Sequence, residues 1–176
     1  MTMLNKLYNL AFIFLAFAVS NAYALPDDQE QPIYITADTA QIDDKTGITT
    51  YKGNVIIKQG SLLIEGEHVD MYRGEDGVEK LITKGSPAHF RQLPRKGDPY
   101  SDAWGKHLLY QVDDQKLTIT EEAKVVQAED TFTGNKIVYD LDKSIVNAFG
   151  GASKDETGEP GRVNMVIQPK KKNKAN

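Results

Sequence analysis

The sequence predicts an all-β domain, on three observations. From Gln31 onward, Ile, Val, Thr and Tyr fall in short alternating runs punctuated by Gly, Asp-Asp and Pro, which is the vocabulary of strands and turns. No sustained 3.6-residue apolar periodicity runs through that part of the chain. An eight-residue pattern also occurs four times: apolar, any, Gly or Ala, any, any, apolar, any, apolar. It covers residues 35–42 (ITADTAQI), 64–71 (IEGEHVDM), 103–110 (AWGKHLLY) and 132–139 (FTGNKIVY). The small residues Ala37, Gly66, Gly105 and Gly134 are separated by 29, 39 and 29 residues. A repeat of about 29 residues belongs to architectures whose stacked units share one core.

Each repeat also carries a geometric instruction. Side chains two apart face the same side of a strand. Ile64 and Gly66 share one parity, whereas Val69 and Met71 share the other. The chain must therefore change faces just after the small residue, where Gly in a strand marks a bulge or bend. Each segment is expected to turn a corner while keeping its apolar side toward one interior.

In chain order, residues 1–24 read as a cleavable signal peptide. Lys6 supplies the positive start, residues 10–19 an apolar run short for a bilayer, and Ala22-Tyr23-Ala24 the cleavage site. An uncleaved anchor is the rival. Residues 25–30 (LPDDQE) are expected to form a flexible lead, residues 31–169 the domain and residues 170–176 (KKKNKAN) a basic, disordered tail. Within the domain, Ile33, Ile35 and Ala37 point to one side. Asp43-Asp44 opens a hairpin loop, followed by strands around Gly53-Asn54, a turn at Gly60 and a polar tip over residues 73–80. Gly85-Ser86-Pro87-Ala88 is read as a second turn and residues 93–100 as a surface loop. Beyond the third and fourth repeats, residues 162–167 are a last strand. Its place before a charged tail makes it an edge, where pairing with a second chain is either blocked or intended.

The whole chain of 176 residues carries 21 basic and 25 acidic side chains. Residues 1–24 contain Lys6 and no acid, so the remaining 152 have a net charge of −5. That argues against nucleic acid as a partner. There is no cysteine, so neither a disulfide nor a lipid-modified N-terminal Cys is available. His68, His89 and His107 have no metal-ligand spacing, and His68 and His107 occupy the same place in two repeats. A repeated structural position accounts for them better than a metal. Asp43-Asp44 and Asp113-Asp114 read as turn residues rather than as paired catalytic carboxylates. No nucleophile elbow, phosphate loop or dinucleotide fingerprint is present. Neither a catalytic residue nor a cofactor is expected. What stands out is a run of apolar side chains along repeated strands. These either pack as an ordinary core or leave space for an apolar ligand.

The sequence resembles the LptA family, also called OstA-like. The matching stretches are QPIYI from Gln31, YKGNVIIKQGSLLIEGEHV from Tyr51, KGSPAHF from Lys84 and FTGNKIVY from Phe132. The resemblance implies an open, twisted antiparallel β-jelly roll with an apolar groove, and a role in carrying lipopolysaccharide through the periplasm. It implies head-to-tail self-association through Ile33, Tyr34 and Ile35 at one edge and Val163, Met165 and Ile167 at the other. The implied partners are an inner-membrane anchored OstA-like protein and the N-terminal OstA-like domain of an outer-membrane translocon. Ile33, Ile35, Phe90, Tyr110 and Val112 match family positions that contact lipid. A structural adaptor that joins membrane complexes without carrying lipid is the alternative.

Overall fold

The computed structural model describes residues 28–94, 97–151 and 161–169. A short 3-10 turn, Asp28–Glu30, precedes ten strands: β1 (Ile33–Thr36), β2 (Thr39–Asp43), β3 (Ile48–Gln59), β4 (Leu62–Gly74), β5 (Gly77–Gln92), β6 (Ser101–Gln111), β7 (Lys116–Gln127), β8 (Asp130–Asp140), β9 (Ile145–Phe149) and β10 (Asn164–Val166). All pair antiparallel in one open sheet of order β1-β3-β4-β5-β6-β7-β8-β10, with β2 also on β3 and β9 also on β8. The all-β, open antiparallel expectation holds.

The corners implied by the repeats lie side by side across the sheet. Register jumps between Lys52 and Val55, Glu65 and His68, Lys84 and Ala88, Trp104 and His107, and Thr120 and Ala123. This row of bulges folds the sheet onto itself. In a flat sheet Phe90, paired with Ala103, would sit about 23 Å along β6 from Tyr110 at 3.3 Å per residue. Its ring centroid lies 5.2 Å from that of Tyr110 instead. We call the two layers the β1 leaf and the β2 leaf after their first strands. The strand-joining turns form the two rims opposite the fold line.

Glycine at the corners answers close approach. A Cβ on Gly66 would meet Lys84 O at 2.9 Å, and one on Gly134 would meet Phe149 O at 2.8 Å. On β7 the same corner is made by Glu121 and Glu122 in the left-handed region, at φ 61 and 58.

Several expectations change. The first repeat is not one bent strand: it breaks at Ala37-Asp38 into β1 and β2, held there by Asp38 N–H on Gly53 O at 2.9 Å. Gly85 to Ala88 is a corner within β5 rather than a turn. Pro87 falls in the unpaired stretch of the register jump, where lacking an N–H removes no ladder bond. The last strand is shorter than residues 162–167, leaving Val163 and Ile167 outside β10. Asp28–Glu30, in the stretch expected to be a flexible lead, is an ordered turn. The signal-peptide and basic-tail assignments lie outside the described residues.

Candidate functional site

Directly opposed residues of antiparallel strands share a face, so the register sorts the interior. On the β1 leaf it is lined by Ile35, Val55, Ile57, Leu62, Ile64 and Phe90, and on the β2 leaf by Val69, Met71, Leu81, Leu108, Tyr110 and Tyr139. In the middle of the molecule these side chains pack against one another: Phe90 is 1% exposed, Tyr110 3% and Val69 0%. Polar atoms there are paired, as in the 3.0 Å hydrogen bond between the Ser101 and Tyr139 hydroxyls. Burial pushes the Tyr139 phenol up, with the Ser101 bond opposing it, so it stays uncharged near neutrality.

Both ends are open. Among the described residues, β1 and β2 at the N-terminal end each pair only with β3, and β9 and β10 at the other end each pair only with β8. Interior-facing side chains emerge there. Ile33, opposite Gln59, is 36% exposed, and Ile42, opposite buried Thr49, is 62% exposed. Met165, opposite Phe132, is 54% exposed. The apolar face therefore continues from one open end through a packed middle to the other.

Of the residues singled out from sequence, Ile33 and Ile35 lie on the inner face of β1, with Ile35 half-buried against the core. Phe90 and Tyr110 meet tilted by 59° between the leaves. Val112 does not continue β6 beside Tyr110: it is in the following turn at the rim, half-buried, with its N–H on Glu79 O. Tyr34 faces outward and is exposed. Val163 is half-buried before β10, and Ile167 is exposed beyond it, so Met165 alone of the three pairs within a strand. Alternation missed β9, whose outward Ile145 and Phe149 are exposed. Their apolar character in a polar surrounding was the available signal.

The histidines serve the outer face. His68 Nε2 lies 3.1 Å from Asp70, and His107 3.3 Å from Glu121, each just past a corner. His89 bridges Glu65 at 2.9 Å and Asp102 at 2.6 Å and stacks on Trp104 at 5.0 Å. Among the described residues no group of three or more His, Asp or Glu side chains is arranged to hold a metal.

An open antiparallel sheet folded around a continuous apolar interior, with unpaired edges at both ends, has counterparts among known proteins. Residues 34–145 match the family described as LptA/(LptD N-terminal domain) LPS transport protein. The lipopolysaccharide export system protein LptH of Pseudomonas aeruginosa is 38% identical over 173 residues, covering 98% of this chain and 99% of that one. The export system protein LptA of Haemophilus influenzae is 32% identical, with 94% and 92% covered, and that of Escherichia coli K12 30%, with 84% and 77%. The crystal structure of P. aeruginosa LptH, described as the LptA homologous periplasmic component of the lipopolysaccharide transport device, superposes with a TM-score of 0.74 over 82% of this chain and all of that one. The chain belongs to the LptA/LptD N-terminal domain family of lipopolysaccharide transport proteins.

Proposed function

We propose that this protein carries lipopolysaccharide across the periplasm by shielding its acyl chains between the two leaves. It joins to its neighbours end to end. The observation that carries this reading is the continuity of the apolar face from Ile33 and Ile35, through Phe90 and Tyr110, to Phe132 and Met165. Each buried CH₂ is worth about 0.8 kcal/mol, so ten methylenes of one chain resist transfer into water by roughly 8 kcal/mol. A row of Ile, Phe and Val side chains distinguishes little between successive positions of a hydrocarbon. Tails can slide along it while the sugars stay in water at the rims. Ile33, Ile35, Phe90, Tyr110 and Val112 are the proposed lipid contacts.

The unpaired edges supply the joints. Ile33, Tyr34 and Ile35 at one end, and Val163, Met165 and Ile167 at the other, are suited to strand addition between copies, a heterologous contact that extends rather than closes. The same edges fit an inner-membrane anchored OstA-like partner and the N-terminal domain of an outer-membrane translocon. Export would use the segment ending at Ala24. A photo-crosslinker at Ile35 or Phe90 is expected to capture lipopolysaccharide, and one at outward Thr36 is not; equal capture at all three overturns the groove assignment. One observation favours a second reading, that of a structural adaptor: the middle of the interior is packed to a few per cent exposure. A purified protein that joins its partners yet takes up no lipid A would establish it.

A further inference from the structure

Because the middle is packed, a lipid can occupy it only if the leaves part, so what ties the rims together decides when that happens. The 3-10 turn Asp28–Glu30 does so. The Asp28 carboxylate accepts the Ser61 N–H at 2.7 Å, the Ser61 hydroxyl at 2.6 Å and the Gln92 side-chain N–H at 3.1 Å, all from the β1 leaf. The Gln59 amide donates to the carbonyls of Gln29 and Gln31 at 3.1 and 3.0 Å, anchoring the turn to the same leaf. From this anchored turn the Gln29 side chain crosses the mouth and donates to Val112 O at 3.0 Å, on the rim of the β2 leaf. The site is fitted to the strap: a Cβ at Gly60 would meet the Asp28 carboxylate, and the Ser61 hydroxyl also accepts Leu93 N–H at 3.0 Å.

The closed arrangement is incompletely satisfied. Gln92 is buried, and turning its N–H toward Asp28 leaves Gln92 Oε1 buried without a hydrogen-bond partner among the described residues. An unmade bond to a buried acceptor raises the energy of the closed state alone, because parting the rims lets water or a ligand hydroxyl reach it. A firm anchor at Asp28 on one leaf, a neutral bond from Gln29 to the other, and an acceptor left unpaired among the described residues describe a latch rather than a permanent brace.

We propose that Asp28–Glu30 is a strap that holds the two leaves closed through Asp28 and Gln29, and that its release admits acyl chains to the middle of the groove. The second half of that statement rests on the lipid-carrying reading; the first does not.

The chain has no cysteine, so spin labels at Lys58→Cys on the β1 leaf and Asp113→Cys on the β2 rim report the width of the mouth. In the full mature protein, Asp28→Ala is expected to lengthen that distance without added lipid. It should also raise the rate of lipid A capture from micelles about two- to tenfold, the scale of the neutral bond that crosses the mouth. Asp28→Asn keeps an acceptor and should lie between the two. Glu30→Ala, at an exposed position in the same turn, should match the parent and controls for general loosening. A circular dichroism melt screens for variants that fail to fold, with Ser61→Ala as a second way to break the same anchor. A label distance unchanged in both Asp28→Ala and Ser61→Ala overturns the strap. A wider mouth with unchanged lipid capture upholds the strap and counts against the acyl-chain reading of the groove.

Discussion

The middle of the interior and its two ends are built from the same inward-facing positions, yet they are in opposite condition. Phe90, Val69 and Tyr110 are sealed, whereas Ile33, Ile42 and Met165 emerge into solvent. In the middle each leaf is the other's solvent shield, so apolar area there stabilises this chain alone. At the ends the sheet runs out of strands before it runs out of apolar side chains. The area left over is what the proposed end-to-end joint would cover. Mutations should therefore divide: those in the middle act on folding, and those at the ends act on assembly.

The largest expected effect is at Phe90. Replacing it with Ala removes a buried ring packed on Tyr110 and leaves a cavity, at a cost of about 3–5 kcal/mol in urea unfolding. A loss below about 1 kcal/mol would show that the middle is already loose, and the contrast with the ends would dissolve. Next is the fold line. Gly66→Ala places a methyl against Thr83 Cγ2 and the Lys84 carbonyl, so strain of about 1–3 kcal/mol is expected, read as a lowered Tm. At the corresponding place in the first repeat, Ala37 already carries a Cβ, and there the strand breaks instead of bending.

That difference shows what was legible beforehand. The shift of parity after Gly66, Gly105 and Gly134 is written locally, because face and period are properties of neighbouring residues, and all three lie at corners. The β7 corner was not legible: Glu121 and Glu122 take left-handed conformations with no glycine to announce them, forced by the bulges of strands on both sides. Gly85-Ser86-Pro87 carries the composition of a reversing turn, and only its pairing with β6 shows that the chain bends and goes on. Of the candidate site, Ile33, Ile35, Phe90 and Tyr110 followed from alternation and resemblance, while Val112 leaves its strand one residue too early for parity to apply. The strap was hidden for a related reason. Asp28 lies in a polar stretch with every mark of a mobile lead, and its partners are 33 and 64 residues away.

A smaller effect tests the outer face, where burial serves neither folding nor joining to the same degree. Burial alone would raise the Asp70 carboxyl, but hydrogen bonds from Thr50 at 2.7 Å and His68 at 3.1 Å, with the nearby Lys84 charge, hold it below its ordinary value. A carboxylate whose pKa falls on folding stabilises the folded state above the ordinary aspartate range and loses that contribution as the pH drops through the folded value. With its side chain a quarter exposed, the contribution is screened, to about 0.5 kcal/mol or less. Asp70→Asn should therefore lower the urea midpoint slightly at pH 7 and leave it unchanged near pH 2. An equal deficit at both pH values would assign the loss to packing.

The effect on stability expected at Ile33 is also small, and its effect on assembly is the sharpest test of the comparison. Its side chain faces inward but stands at the open mouth, and its strand has β3 on one side and, among the described residues, no strand on the other. Ile33→Asp should cost the isolated chain about 1 kcal/mol or less, as a substitution at a partly exposed edge. In an end-to-end joint the exposed third of the side chain would be covered by the next domain, a gain of about 0.5–1 kcal/mol out of the roughly 1.5–3 for burying a whole Ile. Self-association should then weaken about three- to sixfold from the lost apolar contact, and further from the penalty of desolvating the new carboxylate. Size-exclusion chromatography over a concentration series, with circular dichroism on the same samples, separates the two. Unchanged β signal with the oligomers gone places Ile33 in the joint. Loss of both together would mean that the end of the sheet supports the fold as much as the middle does.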